Sequence, residues 1–176
     1  MFQSFTVQPE NPTLEAAPSG ESGDSPNPTV PLYRPGLTAD LRSEQKALIR
    51  SIDELLGEIT TVSAPTLTGR LETLGSRFAR YTEKAQLGLF DFLEPAALQY
   101  GLDDIDEIRG GERALRELAT QVAALTRDDE TDASDLRTLQ ATLEALREDM
   151  RLVFEHDCNE LHPLYHKYGV QQMRQG

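Results

Sequence analysis

From Thr38 onward, apolar residues recur at three- and four-residue intervals in four separate runs, and no stretch alternates with the two-residue period of a half-buried strand. The last run is the longest: Leu136, Leu139, Leu143, Leu146, Met150, Val153, Asp157, then Glu160 or Leu161, and Leu164. Side chains three and four apart share one face of a helix, so each run predicts a helix with one side to bury. The first run is Leu41, Gln45, Leu48, Ile52, Leu55, Leu56 and Ile59. The second is Leu67, Leu71, Leu74, Phe78, Tyr81 or Thr82, Ala85, Leu89 and Phe92; the third is Ile105, Ile108, Leu115, Leu118, Val122 and Leu125. Four such faces satisfy one another in an all-α, antiparallel up-down four-helix bundle.

Local signals set the expected boundaries. Thr38 is placed to cap the first helix, with Asp40 in its first turn. A break follows at Thr61 to Pro65. The second helix should stop near Glu94, because Pro95 restricts the residue before it, leaving Pro95 to Gly101 as a connection. Asp103 and Asp104 suit the start of the third. Gly110-Gly111 interrupts that helix and reads as a bend, a close helix contact or a late true start. Residues Arg127 to Asp132 read as a solvated loop, with Ser134 or Asp132 capping the last helix.

Seven of the ten prolines fall within residues 1 to 37, among Ser, Gly, Asn and Glu. Such a composition buries too little apolar surface to offset its ordering entropy. The expected organisation is therefore a disordered arm over 1–30, a bundle over 31–169 and a C-terminal tail over 170–176. Leu32, Tyr33 and Leu37 are expected to dock the end of the arm on the bundle.

Charge and cysteine content narrow the function classes. With 17 Lys+Arg against 30 Asp+Glu, the formal charge is −13. That field repels phosphate backbones and anionic headgroups, so neither nucleic acid nor membrane is an expected partner. Residues 1–37 hold Glu10, Glu15, Glu21 and Asp24 against Arg34, so most of the acidity belongs to the bundle. The single cysteine, Cys158, forms no internal disulfide. Together with the lack of a secretion signal or a long apolar run, it points to the cytoplasm.

Standard catalytic motifs are absent: no Walker loop, dinucleotide-type glycine pattern, His-Glu-x-x-His or Cys-x-x-Cys occurs. All three histidines and the cysteine lie between His156 and His166. On a helix, His156 with Glu160 and Cys158 with His162 stand at i,i+4, a spacing that offers two ligands to one metal. Further ligands would have to be carboxylates from other helices, such as Glu44, Glu83 or Glu107. The simpler expectation is a set of surface polar residues near a fraying helix end, with Cys158 half-buried. Gln45, Tyr81 or Thr82, and Asp157 interrupt the apolar stripes, so Asp157 needs hydrogen bonds, a cation or an escape to solvent; a hydrogen-bonded cluster of Gln45, Tyr81 and Asp157 is the simpler expectation and a cation site in the bundle interior the other.

Over residues 31 to 169, from Leu32-Tyr33-Arg34-Pro35-Gly36-Leu37 to Leu161-His162-Pro163-Leu164-Tyr165, the chain resembles the hemerythrin-like cation-binding family. The resemblance implies that fold and a di-iron centre held by histidines and carboxylates of all four helices. Anchored on Leu161 and Pro163, the family's last-helix Glu falls on Asp157 and its His on Val153. Tyr81 and Ala85 take the second-helix positions, Glu44-Gln45 the first-helix Asp-His pair, and Glu107 or a neighbour the third-helix position. Only Asp157 keeps ligand chemistry at a matched position. The resemblance thus implies a degenerate relative: a non-enzymatic regulatory or protein-interaction module with no cofactor, binding a protein partner through the bundle surface or the N-terminal arm. Its adhesive surfaces would be Tyr33 with Leu37 and Tyr165 with Tyr168. The alternative is a metalloprotein handling oxygen, nitric oxide or metal ions, with iron held by Asp157, His156 and Glu160. A third expectation is an acidic clamp on a basic partner.

Overall fold

The computed structural model describes residues 31–125 and 135–175. Six α-helices are described: α1 Leu37–Glu58, α2 Ala64–Ala85, α3 Asp91–Tyr100, α4 Ile105–Leu125, α5 Asp135–His156 and α6 His162–Gln175. A π-helical turn, Gln86–Phe90, joins α2 to α3, and another, Asp157–Leu161, joins α5 to α6. A short 3-10 turn, Leu102–Asp104, leads into α4. The helices therefore form four rods: α1, α2 with α3, α4, and α5 with α6. No strand occurs among the described residues. The expected arm over 1–30 and the expected loop and cap between Arg127 and Ser134 lie outside them.

The apolar stripes form the core as their spacing predicts. Leu41, Leu48, Ile52 and Leu55 of α1 are buried with Leu67, Leu71, Leu74 and Phe78 of α2. Ile108, Leu115, Leu118 and Val122 of α4 and Leu143, Leu146 and Met150 of α5 are buried with them. α1 contacts α2 and α5, and α4 contacts the same two helices. Tyr81 rather than Thr82, and Leu161 rather than Glu160, take the inward positions. Among the described residues, no helix is long and apolar enough to cross a membrane.

Several boundaries differ from the sequence expectation. The second rod does not stop at Glu94; it passes through Pro95 to Tyr100. A proline inside a helix costs about 3 kcal/mol. Phe92, Leu93, Ala96 and Ala97 are all buried here, and full burial of a Phe or Leu side chain contributes about 1.5–3 kcal/mol each. Burial outweighs the lost bond. Pro163 is accommodated differently: it follows the π turn whose closing bond runs from His162 N–H to Asp157 O, so the regular bonding pattern is already shifted there. The last rod then continues through Gln175, absorbing most of the expected tail.

Gly110 and Gly111 do not interrupt α4. Of the three expected meanings, close helix contact holds at Gly111, where an added Cβ would lie 2.6 Å from Leu161 Cδ1; Gly110 faces open space. Thr38 is not the cap of α1 but its second residue, buried, with Oγ1 2.9 Å from His166 Nε2.

The segment before α1 docks as expected for Tyr33 and Leu37 but not for Leu32, which is exposed. Tyr33 lies against Tyr165 and Phe92, at ring-centroid distances of 5.0 and 6.1 Å. Tyr165, Tyr168 and Leu37 are fully buried, so these expected adhesive surfaces are spent within the fold.

Candidate functional site

Four polar side chains are buried among the described residues: Thr38, Gln45, Asp157 and His162. Gln45 sits one turn after Leu41 on α1, Tyr81 one turn after Phe78 on α2, and Asp157 opens the π turn after α5. Their places in the stripes force them inward, where they meet. Gln45 Nε2 donates to Tyr81 Oη at 2.8 Å and lies 3.3 Å from Asp157 Oδ2. Tyr81 Oη donates to the same oxygen at 3.3 Å. Cys158 Sγ, half-buried, donates to Gln45 Oε1 at 3.4 Å. Phe154 packs edge-on to Tyr81 at 5.2 Å and closes the cluster from α5.

Asp157 Oδ1 is buried and has no hydrogen-bond partner among the described atoms. His156 Nδ1 lies 3.9 Å from it, too far for a hydrogen bond. Burial raises the Asp157 pKa from 3.8 to about 6, against smaller lowering effects from the His156 charge and the Tyr81 hydrogen bond. Burial, then the Asp157 charge, likewise pushes the Tyr81 phenol well above its ordinary range. The cluster thus holds one carboxylate poised between its two states, beside a phenol that stays protonated and donates to it.

Of the other expected ligands, only His156 comes near it. His156 points its Nε2 to Glu107 Oε1 of α4 at 2.5 Å, and Glu160 is exposed. Glu44 pairs with Lys84 at 2.7 Å, and Glu83 is exposed. Among the described residues, no group of three or more His, Cys, Asp or Glu side chains is placed to hold a metal ion. Ala85 is buried and Val153 half-buried, so two positions where the resemblance expects ligands carry aliphatic side chains.

The i,i+4 pair Cys158 and His162 is also put to a different use: both residues face α1. Cys158 meets Gln45, while His162 Nδ1 accepts from Arg42 Nε at 3.2 Å. An arginine only donates, so the ring proton sits on His162 Nε2, which is buried without a partner. Burial, followed by the charges of Arg42 and His166, lowers the His162 pKa to about 4. His162 is therefore a neutral core residue, not the surface polar residue expected from its place near a helix end. His166 is exposed and lies between Tyr33 Oη at 2.5 Å and Thr38 Oγ1 at 2.9 Å. A single sequence carries little signal for these pairings, because they depend on which helix faces which.

No family model, curated protein or solved structure matches the chain.

Proposed function

We propose that this chain is a degenerate hemerythrin-like, antiparallel up-down four-helix bundle. It acts as a non-enzymatic regulatory or protein-interaction module that has lost the His-rich di-iron centre. The observation that carries the reading is the Gln45–Tyr81–Asp157 cluster, where side-chain hydrogen bonds fill the place that resemblance assigns to metal ligands. The antiparallel course is supported by paired residues whose numbers rise on one helix as they fall on the next. Along α1 and α2 these are Glu58 with Arg70, Ser51 with Arg77, and Glu44 with Lys84. Between α1 and the last rod they are Asp53 with Arg147 and Arg42 with His162.

On this reading the donor set does not fit an iron pair. One buried carboxylate, an amide and a phenol replace a set of imidazoles and carboxylates, and Ala85 and Val153 supply no donor atom. The module would work in the cytoplasm on a protein partner, and its −13 charge favours a basic one. A second reading, a metalloprotein with a remnant site, rests on one observation: the buried, unpartnered Asp157 Oδ1, beside which His156 is the nearest nitrogen ligand.

Metal analysis of the full chain after expression with added iron, manganese and zinc separates the two. The first reading predicts far less than one equivalent of any metal. Near-stoichiometric iron that disappears in Asp157→Ala would overturn it.

A further inference from the structure

We propose that residues 1–30 of this chain lie along the basic groove of α2, covering that face of the bundle. The groove has two adjoining parts that share Arg80 and Lys84. One runs between α1 and α2 past Glu44 and Arg77; the other is bounded by Pro31, Leu32, Arg34, Glu83 and Gly88. Four cations thus face two carboxylates in a chain whose formal charge is −13. Lys84 is partly neutralised by Glu44 at 2.7 Å and Asp40 at 3.7 Å, and Arg77 reaches Ser51 Oγ at 3.1 Å. Among the described residues, the side chains of Arg34 and Arg80 are in no ion pair. An anionic chain is the occupant this groove fits.

Residues 1–30 have that chemistry: they contain Glu10, Glu15, Glu21 and Asp24 and no Lys or Arg. They also start from the right place. Gln172 accepts from Tyr33 N–H at 2.9 Å and donates to Pro31 O at 3.2 Å, and Tyr165 Oη accepts from Arg34 N–H at 2.9 Å. These bonds fix Pro31 at the mouth of the groove it lines. From Gly88 back to Arg77 the helix is about 16 Å long at 1.5 Å per residue. Asp24 and Glu21 precede Pro31 by seven and ten positions, and chains of that length reach up to about 23 and 33 Å. A short tether also supplies a local concentration on the order of millimolar, so individually weak ion pairs suffice. A partner for this face of α2 would then have to displace the chain's own acidic segment, whether or not the bundle ever held a metal.

The test uses the full chain with Cys158→Ser and a nitroxide on Ser22→Cys, read by NMR. Loss of the Arg77, Arg80 and Lys84 amide signals is expected at low salt. Recovery is expected near 1 M salt, where the screening length is about 3 Å, and on Arg80→Glu. Signal loss that appears only when labelled and isotope-enriched chains are mixed would assign the groove to a second copy and overturn the proposal. Loss confined to Lys46 and Arg151, in the other basic groove between α1 and α5, would overturn it too, as would no loss anywhere in α2.

Discussion

Tyr81 of α2 donates its hydroxyl proton to Asp157 Oδ2 in the π turn that follows α5, 3.3 Å away, in a place where both side chains are about 1% exposed. A carboxylate buried to this extent is stable only if its charge is paired, hydrogen-bonded or neutralised. Here Tyr81 and Gln45 serve one oxygen, and burial, outweighing what those bonds and the neighbouring His156 offset, raises the carboxyl to a pKa of about 6.

The consequence for stability follows from the sign of that shift. The folded state holds the Asp157 proton more tightly than the unfolded chain does. Its contribution is complete below about pH 4 and is lost as the pH rises through about 6, a change of about 3 kcal/mol. His162 has the opposite sign: with its pKa lowered to about 4, its contribution is complete above about pH 6.5 and is lost as the pH falls through 4. The two trends oppose each other in the native chain. Asp157→Asn removes one of them, so denaturation should find the variant up to about 3 kcal/mol more stable than the native chain at pH 8, relative to their difference near pH 4. Parallel pH profiles would contradict this account of the core.

Tyr81→Phe removes the donor to Asp157 and the acceptor for Gln45 Nε2. Hydrogen bonds to a charged group are worth about 1.5–3 kcal/mol, and neutral ones about 1 kcal/mol. The variant should therefore lose more stability at pH 8 than near pH 4, as read by urea unfolding at the two pH values. An equal loss at both would mean that Asp157 does not ionise against Tyr81.

The visibility of this cluster in the sequence has a simple cause. Gln45, Tyr81 and Asp157 stand on stripes whose other members are apolar, and a helix buries every residue of its stripe regardless of polarity. The rods themselves were equally visible, since three- and four-residue spacing directly encodes a buried face. The π turns were not: the step of four from Asp157 to Leu161 fits an α-helix as well as a π turn, so periodicity is blind to the difference. The helix through Pro95 is not legible in the sequence, because local proline rules do not count the apolar burial of Phe92 and Leu93 around it. Tyr165 and Tyr168 read as adhesive residues in the sequence because nothing in α6 alone shows that Tyr33, Phe92 and Tyr100 cover them.

The adjacent glycines of α4 should respond in opposite ways. Gly110→Ala meets open space and gains helix propensity, so it should stabilise by about 0.5–1 kcal/mol. Gly111→Ala gains the same propensity but pushes its Cβ into Leu161, and overpacking of this kind costs about 1–3 kcal/mol. Melting temperatures of the two variants test the contrast; equal shifts would contradict the close approach of α4 to the π turn.

Gly169 makes room for the Tyr33 ring, which occupies the space that a Cβ there would need. Gly169→Ala should displace Tyr33 and, with it, the bonds from Tyr33 N–H to Gln172 and from Arg34 N–H to Tyr165. Faster hydrogen exchange at these two amides, with α1 and α4 unchanged, is the expected result. Unchanged protection would show that the segment is held by something other than Tyr33.

The most direct test of a core closed by its own hydrogen bonds is a carbon-13 NMR titration of the Asp157 carboxyl, with and without added ferrous iron or zinc. One midpoint near pH 6 is expected, moved by Tyr81→Phe and unaffected by either metal. A midpoint that drops, or a signal that vanishes, when metal is added would contradict it, because a bound cation holds the carboxylate ionised.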